Sequence, residues 1–486
     1  MKRKLKAKYV IGYNGNKHVI YKNGIVVYEG DTIVYVGKVY NGKTDEVIDY
    51  GNSIISPGFI DLDALGDIDH ALISSEIPSE KRIGLSWSEE YFEKKRQEWM
   101  TPQEEAFKSL YAYSHLIMNG ITTAMPITSV NYKKAAETYE EIEAAAHNAG
   151  KLGLRVYLGP SYISAMQIID EDGKMKVGWM QEEGKEGLKR AVTFIENFHG
   201  SYDGLINGVL VPERIELQTE EILKETKRYS EKLGCPIRLH AAQGEFEYSE
   251  IYKKTGMSPI AYLESIGFLD KNVMIPHAIY ASGYSKLEDK SNKDQEILRK
   301  TGTSVIHCPI VYSRSGTALE SFGRYLRLGI NMSMGTDTFP PDIIRNINIG
   351  SILGMHTDEK RRENHFREFF NAATLGGARA LGREDLGRLV EGAKADIIVI
   401  DLSSYPMGVV DDPLRTIFLS ATGRDVSTSI INGKVVMRNR IIEKLNYEEM
   451  QEKAQKYYDK MKESYLKRSR MNLTKEEFFE SSFEII

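Results

Sequence analysis

The chain has 486 residues, with 64 Lys and Arg against 69 Asp and Glu, a formal net charge of −5, and 41% hydrophobic residues. This is the balance of an ordinary soluble globular protein, large enough for one to three domains of roughly 150 residues, and it excludes disorder, collagen and coiled coil as the main architecture. The slight acidic excess argues against nucleic acid as a partner, no run approaches the roughly 18 apolar residues of a membrane span, and two cysteines, Cys235 and Cys308, allow neither a disulfide framework nor a Cys zinc site.

The first residues are basic, but the stretch from Ile11 to Lys17 is too polar for a signal-peptide core, so a reducing cytoplasm is the expected home. Residues 1–57 read as short strands broken by Asn-Gly and Gly-Asp turns, and the same texture returns in 395–401 and 429–437. The two ends are therefore predicted to pair as one small β domain, with residues 1–57 its first part and 386–445 its second. Between them lies strand–helix alternation over 58–385. Candidate buried strands are 54–60, 121–126, 154–159, 205–211, 236–240, 272–277, 303–308 and 330–336.

The helix after the first strand is sharply marked. Thr101-Pro-Gln-Glu offers an N-cap, a Pro at N1 and a Glu at N3, and Gly120 stands where the apolar stripe of Phe107, Leu110, Tyr111, Ser114, Ile117 and Met118 stops. Eight such strands with helices between them predict an α/β fold, a (β/α)8 TIM-like barrel. A doubly wound sheet is the rival, but no Gly-rich phosphate turn follows any strand. The tail, 446–486, is charged and helix-prone; it is expected to pack on the barrel's outside or to form a subunit contact in a homodimer or higher homo-oligomer.

In a barrel, chemistry collects at the C-terminal ends of the strands. The polar residues there are Asp61 and Asp63, followed by Asp67, Asp69 and His70; then Glu213 and Arg214; His240 and Gln243; His277; His307 and Cys308; and Asp337. Imidazoles and carboxylates meeting at one mouth suit Zn, Fe or Mn, and a bound divalent ion lowers the pKa of water to roughly 7. The expected reaction is hydrolysis of a small-molecule substrate. A single buried histidine more often means a satisfied core residue; the joint placement carries the reading.

The motifs Ile55-Ser-Pro-Gly-Phe-Ile-Asp-Leu, Val305-Ile-His-Cys-Pro, Leu328-Gly-Ile-Asn-Met-Ser-Met-Gly-Thr-Asp337, Gly387-Arg-Leu-Val-Glu-Gly-Ala-Lys-Ala-Asp396 and Asn432-Gly-Lys-Val-Val resemble the amidohydrolase superfamily. Within it, the likeness is to the branch of cytosine and guanine deaminases and triazine chlorohydrolases, and it covers nearly all of the chain up to about 446. The resemblance implies a barrel with a small β-sandwich built from both chain ends. It implies a metal site with His240 and Asp337 as ligands, a His277 that orients water or substrate, and a proton-shuttling Glu three residues after His240.

This sequence departs from that pattern. The His-x-His pair of strand one is replaced by Asp63 and Leu65, and the shuttle Glu by Gln243. Leu65 cannot bind a metal, and Gln243 can donate and accept hydrogen bonds but cannot carry a proton. Three readings follow. The site keeps one divalent ion, Zn or Fe, on His240, Asp337, Asp63 and His70, with Asp67 and Asp69 nearby. Or it works without metal, Asp337 or Asp63 being the base and Glu245 or Glu247 the proton donor. Or it binds a ligand without catalysis.

The first is expected: a hydrolase of a C–N or C–Cl bond in a small cyclic or amidine-like compound, with Asp337, His277 and Gln243 catalytic. Arg214, Glu213, Trp87 and Ser313 are expected to bind substrate. Trp87 lies, with Tyr91 and Phe92, in a long loop placed to act as a lid.

Overall fold

Gly58 is where the chain changes sheets. In the computed structural model, which describes the chain apart from residues 69, 70, 75, 76, 79, 131, 132, 321, 359–363 and 444, the segment 54–60, expected as one strand, belongs to two. Ser53–Pro57 lies in the small sheet, and Phe59–Leu65 begins the parallel core. The Gly58 amide donates to the Asp396 carbonyl (3.1 Å) and that of Phe59 to Gly120 (3.0 Å), so neighbouring residues answer to different sheets. A Cβ at position 58 would stand 2.1 Å from Thr122 Oγ1, which leaves room only for glycine.

The two ends of the chain share one hydrogen-bonded sheet of eight strands, where two facing sheets of a sandwich were expected. Its continuity comes from the long strand Lys2–Tyr13, which pairs with His18–Glu29 on one side and with both Glu46–Asp49 and Ser53–Pro57 on the other. Lys4, Lys6 and Lys8 alternate along it with buried Leu5, Ala7 and Tyr9, the period of a strand with one solvated face. Ser53–Pro57 then pairs antiparallel with Ile397–Asp401, joining the N-terminal strands to the C-terminal ones.

The parallel core has eight strands, numbered one to eight in chain order. Phe59–Leu65, Ile121–Ile127, Arg155–Leu158 and Ile206–Gly208 form one four-stranded parallel sheet. Ile237–Arg238, Val273–Pro276, Ser304–His307 and Met332–Met334 form the other. At one margin the Arg238 amide donates to the Leu210 carbonyl (3.0 Å); at the other the Asp337 amide donates to the Asp63 carbonyl (2.8 Å). The core is fixed to the small sheet by buried Arg155 of strand three, which pairs with Asp396 and donates to Asn432 (3.2 Å).

Helices start and stop where the local chemistry directs. Thr101 and Glu104 close a capping box on Pro102–Met118, and Glu220–Leu233 ends at left-handed Gly234. The tail forms the helix Tyr447–Arg468, whose Ala454 and Met461 are buried with Ile68 and Tyr111, while Tyr465 packs with Ile73 and Ile77. It thus holds down the segment that follows strand one.

Two measurements follow from this packing. Thr101→Ala removes one half of the capping box and should cost about 1 kcal/mol in urea denaturation. His307 is buried beside Phe322 and Phe369, and burial pulls its pKa from 6.5 to about 3. Below pH 6.5 the unfolded chain takes up a proton that the folded chain refuses, so stability is full above 6.5 and falls as the pH drops. By pH 4.5 the wild type should have lost about 2–3 kcal/mol more than His307→Asn, relative to each protein at pH 7.5.

Candidate active site

The site is built on the strand one–strand eight margin. Asp61 and Asp63 both lie on strand one, where the pairing register shifts, and the Asp63 amide donates to Asp61 Oδ1 (3.2 Å). Asp61 is fully engaged: Thr336 donates to it from Oγ1 (2.6 Å) and from its amide (3.1 Å), and burial raises the carboxyl to about 7 against those bonds. Asp63 lies one layer higher, against His240 and His277. Burial works against its charge, but the His240 imidazole and the Arg238 guanidinium hold its carboxyl well below the ordinary range.

His240 Nδ1 lies 2.8 Å from the Glu213 carbonyl oxygen, which can only accept, so Nδ1 carries a hydrogen. Its Nε2 faces Asp63 Oδ2 at 3.6 Å. His277 Nε2 stands 3.8 Å from the same oxygen and 3.5 Å from Asp337 Oδ2. Burial keeps His277 neutral, well below its usual pKa, and neither of its nitrogens has a hydrogen-bond partner, nor has Asp63 Oδ1. Buried polar atoms left without partners beside a carboxylate are costly unless a ligand completes them.

Asp63, His240 and His277 each offer a ligand atom, all within 4.8 Å of one another. Carboxylate and imidazole are the donors zinc or iron takes, and Asp63 Oδ2 with the unpartnered His277 Nε2 are atoms such an ion would meet. The residues fit a divalent metal. The histidine bond to the Glu213 carbonyl is the outer support that metal-binding histidines use.

Backbone strain gathers at the same place. Ala242, His277, Ala278 and Asp337 have φ of 54°, 67°, 48° and 51°, in the left-handed region that non-glycine residues rarely adopt. All four follow the ends of strands five, six and eight. Arg238, two residues before His240, was not singled out from sequence. It is 1% exposed, its guanidinium donates to the carbonyls of Met125 (2.6 Å) and Pro126 (3.0 Å), and it lies 3.4 Å from Asp63 Oδ1. The signal was present: an arginine inside the apolar run Ile237-Arg-Leu, in step with His240.

The cluster adjoins a cavity of about 470 Å3, walled by Leu65, Glu213, Arg214, Gln243, Tyr312 and Asp337 among others. Arg214 donates to Glu213 Oε1 (3.2 Å) and to Gln243 Oε1. Tyr312 packs on His277 with ring centres 4.6 Å apart. Ser313 turns back to the Ile310 carbonyl (3.0 Å), while Ser315 reaches the cavity. Trp87 is 1% exposed and packs edge-on against Tyr91; its neighbour Ser86 is on the cavity wall.

The remaining acidic candidates are placed elsewhere. Asp67 is 3.4 Å from Lys108, in a buried network that continues through Glu105 and Lys133 to Glu141. Glu247 is buried and accepts from the amides of Ala242 (2.6 Å) and Gln243 (2.8 Å), so it braces the loop after strand five; Glu245 is exposed. Asp69 and His70 lie outside the described residues.

With this geometry in view, the chain can be set beside known proteins. Residues 54–436 match the amidohydrolase family. The 5-methylthioadenosine/S-adenosylhomocysteine deaminase of Pyrococcus abyssi is 27% identical over 418 residues, 85% of this chain and 89% of that protein. The 5'-deoxyadenosine deaminase of Methanosarcina barkeri is 27% identical over 441 residues, 90% and 93% of the two chains. Among solved structures, an adenosine deaminase from Xanthomonas campestris with bound zinc superposes with a TM-score of 0.77 at 17% identity, covering 95% of this chain and 98% of that one. An atrazine chlorohydrolase from Arthrobacter aurescens TC1, complexed with zinc, gives 0.74 at 19% identity, covering 94% and 100%. These structures share the fold. Since the family match spans most of the sequence, this chain belongs to the amidohydrolase family, hydrolases that act on carbon–nitrogen bonds other than peptide bonds.

Proposed function

We propose that the protein is a metal-assisted hydrolase that deaminates a small cyclic, amidine-like compound, the two parallel sheets being the halves of one (β/α)8 barrel. The observation that carries this reading is the convergence of Asp63, His240 and His277, with Asp337 3.5 Å from His277, beside a cavity of about 470 Å3. The adenosine-type substrates in the names of its relatives point to an aminated heterocycle.

Asp63, His240 and His277 would hold the ion, with Asp337 beside them. A bound zinc or iron ion supplies Lewis acidity and lowers the pKa of water to about 7. Asp337 takes a proton from the attacking water. Arg214 donates to Gln243 Oε1, so the Gln243 amide must turn its NH2 away from Arg214, as a fixed donor to a ring acceptor.

A metal-free form of the reaction is the second reading, and Arg238 favours it. Its guanidinium already places a permanent positive charge 3.4 Å from Asp63. Metal content separates the two. Protein purified without chelators or a metal-affinity column should hold near-stoichiometric zinc or iron by elemental analysis, and Asp63→Ala and His277→Ala should each weaken retention at least tenfold. Metal absent even after soaking would overturn the metal-assisted reading and leave the Arg238 form or ligand binding alone. For the reaction itself, ammonia release from a panel of aminated purines and pyrimidines should fall at least a hundredfold in Asp337→Asn, with the melting temperature unchanged within about 2 °C. A wild type inert across the panel would overturn the deaminase reading.

A further inference from the structure

Residue 243 is an amide, yet deamination must deliver a proton to a leaving nitrogen. Among the described residues on the cavity wall, only Glu213 and Asp337 are carboxylates. The other titratable groups there are unsuited to carrying protons. Arg214 does not give up its proton, and burial raises the Tyr312 phenol far above neutrality.

Glu213 is held as a proton carrier needs to be. Its Oε1 accepts from Arg214 Nε (3.2 Å), and its Oε2 is buried without a hydrogen-bond partner. Its main chain is fixed on both sides: its amide donates to the Tyr162 carbonyl (3.3 Å) and its carbonyl accepts from the His240 amide (3.2 Å) and ring (2.8 Å). The main chain that carries it is therefore fixed at the site, and the Arg214 ion pair engages one carboxylate oxygen and leaves the other. Two carboxylates in unlike surroundings, one against imidazole and one against guanidinium, suit a division of acid and base roles.

We propose that Glu213 is the catalytic proton carrier of this site, supplying from the end of strand four what Gln243 cannot. The assignment rests on the deaminase reading above. As the carbon–oxygen bond forms, Asp337 takes the first proton of water and returns it to the ring nitrogen. Glu213 takes the second from the attached oxygen and delivers it to the amino nitrogen. The carbon–nitrogen bond breaks with its electron pair on nitrogen, ammonia leaves, the carbon keeps the oxygen as a carbonyl, and both carboxylates are restored.

A leaving group that needs no proton provides the test. Wild type and Glu213→Gln are compared on 5'-deoxyadenosine, followed by ammonia, and on its 6-chloro counterpart, followed by chloride. Glu213→Gln should lower kcat for ammonia release at least a hundredfold, with KM within threefold, and leave chloride release within threefold, while Glu213→Asp retains at least a tenth of the ammonia rate. Equal losses on both substrates would make Glu213 a positioning residue and overturn the proposal, as would an unchanged ammonia rate. A wild type that releases neither product would show instead that the deaminase reading had failed, and the assignment would fall with it.

Discussion

One backbone hydrogen bond, from the Asp337 amide to the Asp63 carbonyl, joins the last core strand to the first. Everything at the site depends on that margin. It brings two carboxylates from opposite ends of the parallel core to the same imidazole, and Asp61 reinforces it one layer below by taking two bonds from Thr336. The left-handed backbone at Asp337 and His277 persists because strands on both sides over-determine it.

Charge is the second constraint. The interior holds Asp63, Arg238, Arg155, Asp396 and the lysine–glutamate network around Lys133, and each is paired or hydrogen-bonded. Among the described residues, the buried side-chain atoms without a hydrogen-bond partner include Arg468 and others far from the site, and at the site itself Asp63 Oδ1, both nitrogens of His277 and Glu213 Oε2. Buried polar atoms are rarely left unmatched in a stable fold, so a cluster of them marks where a ligand completes the structure. Arg238 and Arg214 then set which atoms remain available, the first by offsetting the charge of Asp63, the second by engaging one oxygen each of Glu213 and Gln243.

Much of this was legible in the residues. The capping box at Thr101 and the glycine stop at Gly234 are local signals, decided by backbone donors and by φ, and they need no tertiary context. The strand ends bearing His240, His277 and Asp337 stood out because polar residues ended apolar runs. Other features were not legible. The run 54–60 has one uninterrupted β texture, and only the steric contact at Gly58 with Thr122 divides it. Trp87 sits in a loop whose composition suits a lid, but its indole is spent packing against Tyr91. Asp67 and Asp63 are both acidic residues near one strand end; Lys108 claims the first and the histidines the second.

By itself, the sequence determined an alternating strand–helix core between two β-rich ends, and the set of imidazoles and carboxylates available for chemistry. Periodicity, caps and turn residues act over a few positions, and so they survive reading one residue at a time. Only the tertiary structure decided which of those groups meet. His277 joins Asp63 and His240, Glu247 braces a loop, and Glu213 keeps an unpartnered oxygen, because these outcomes turn on contacts between strands far apart in the chain and on burial that no single segment encodes.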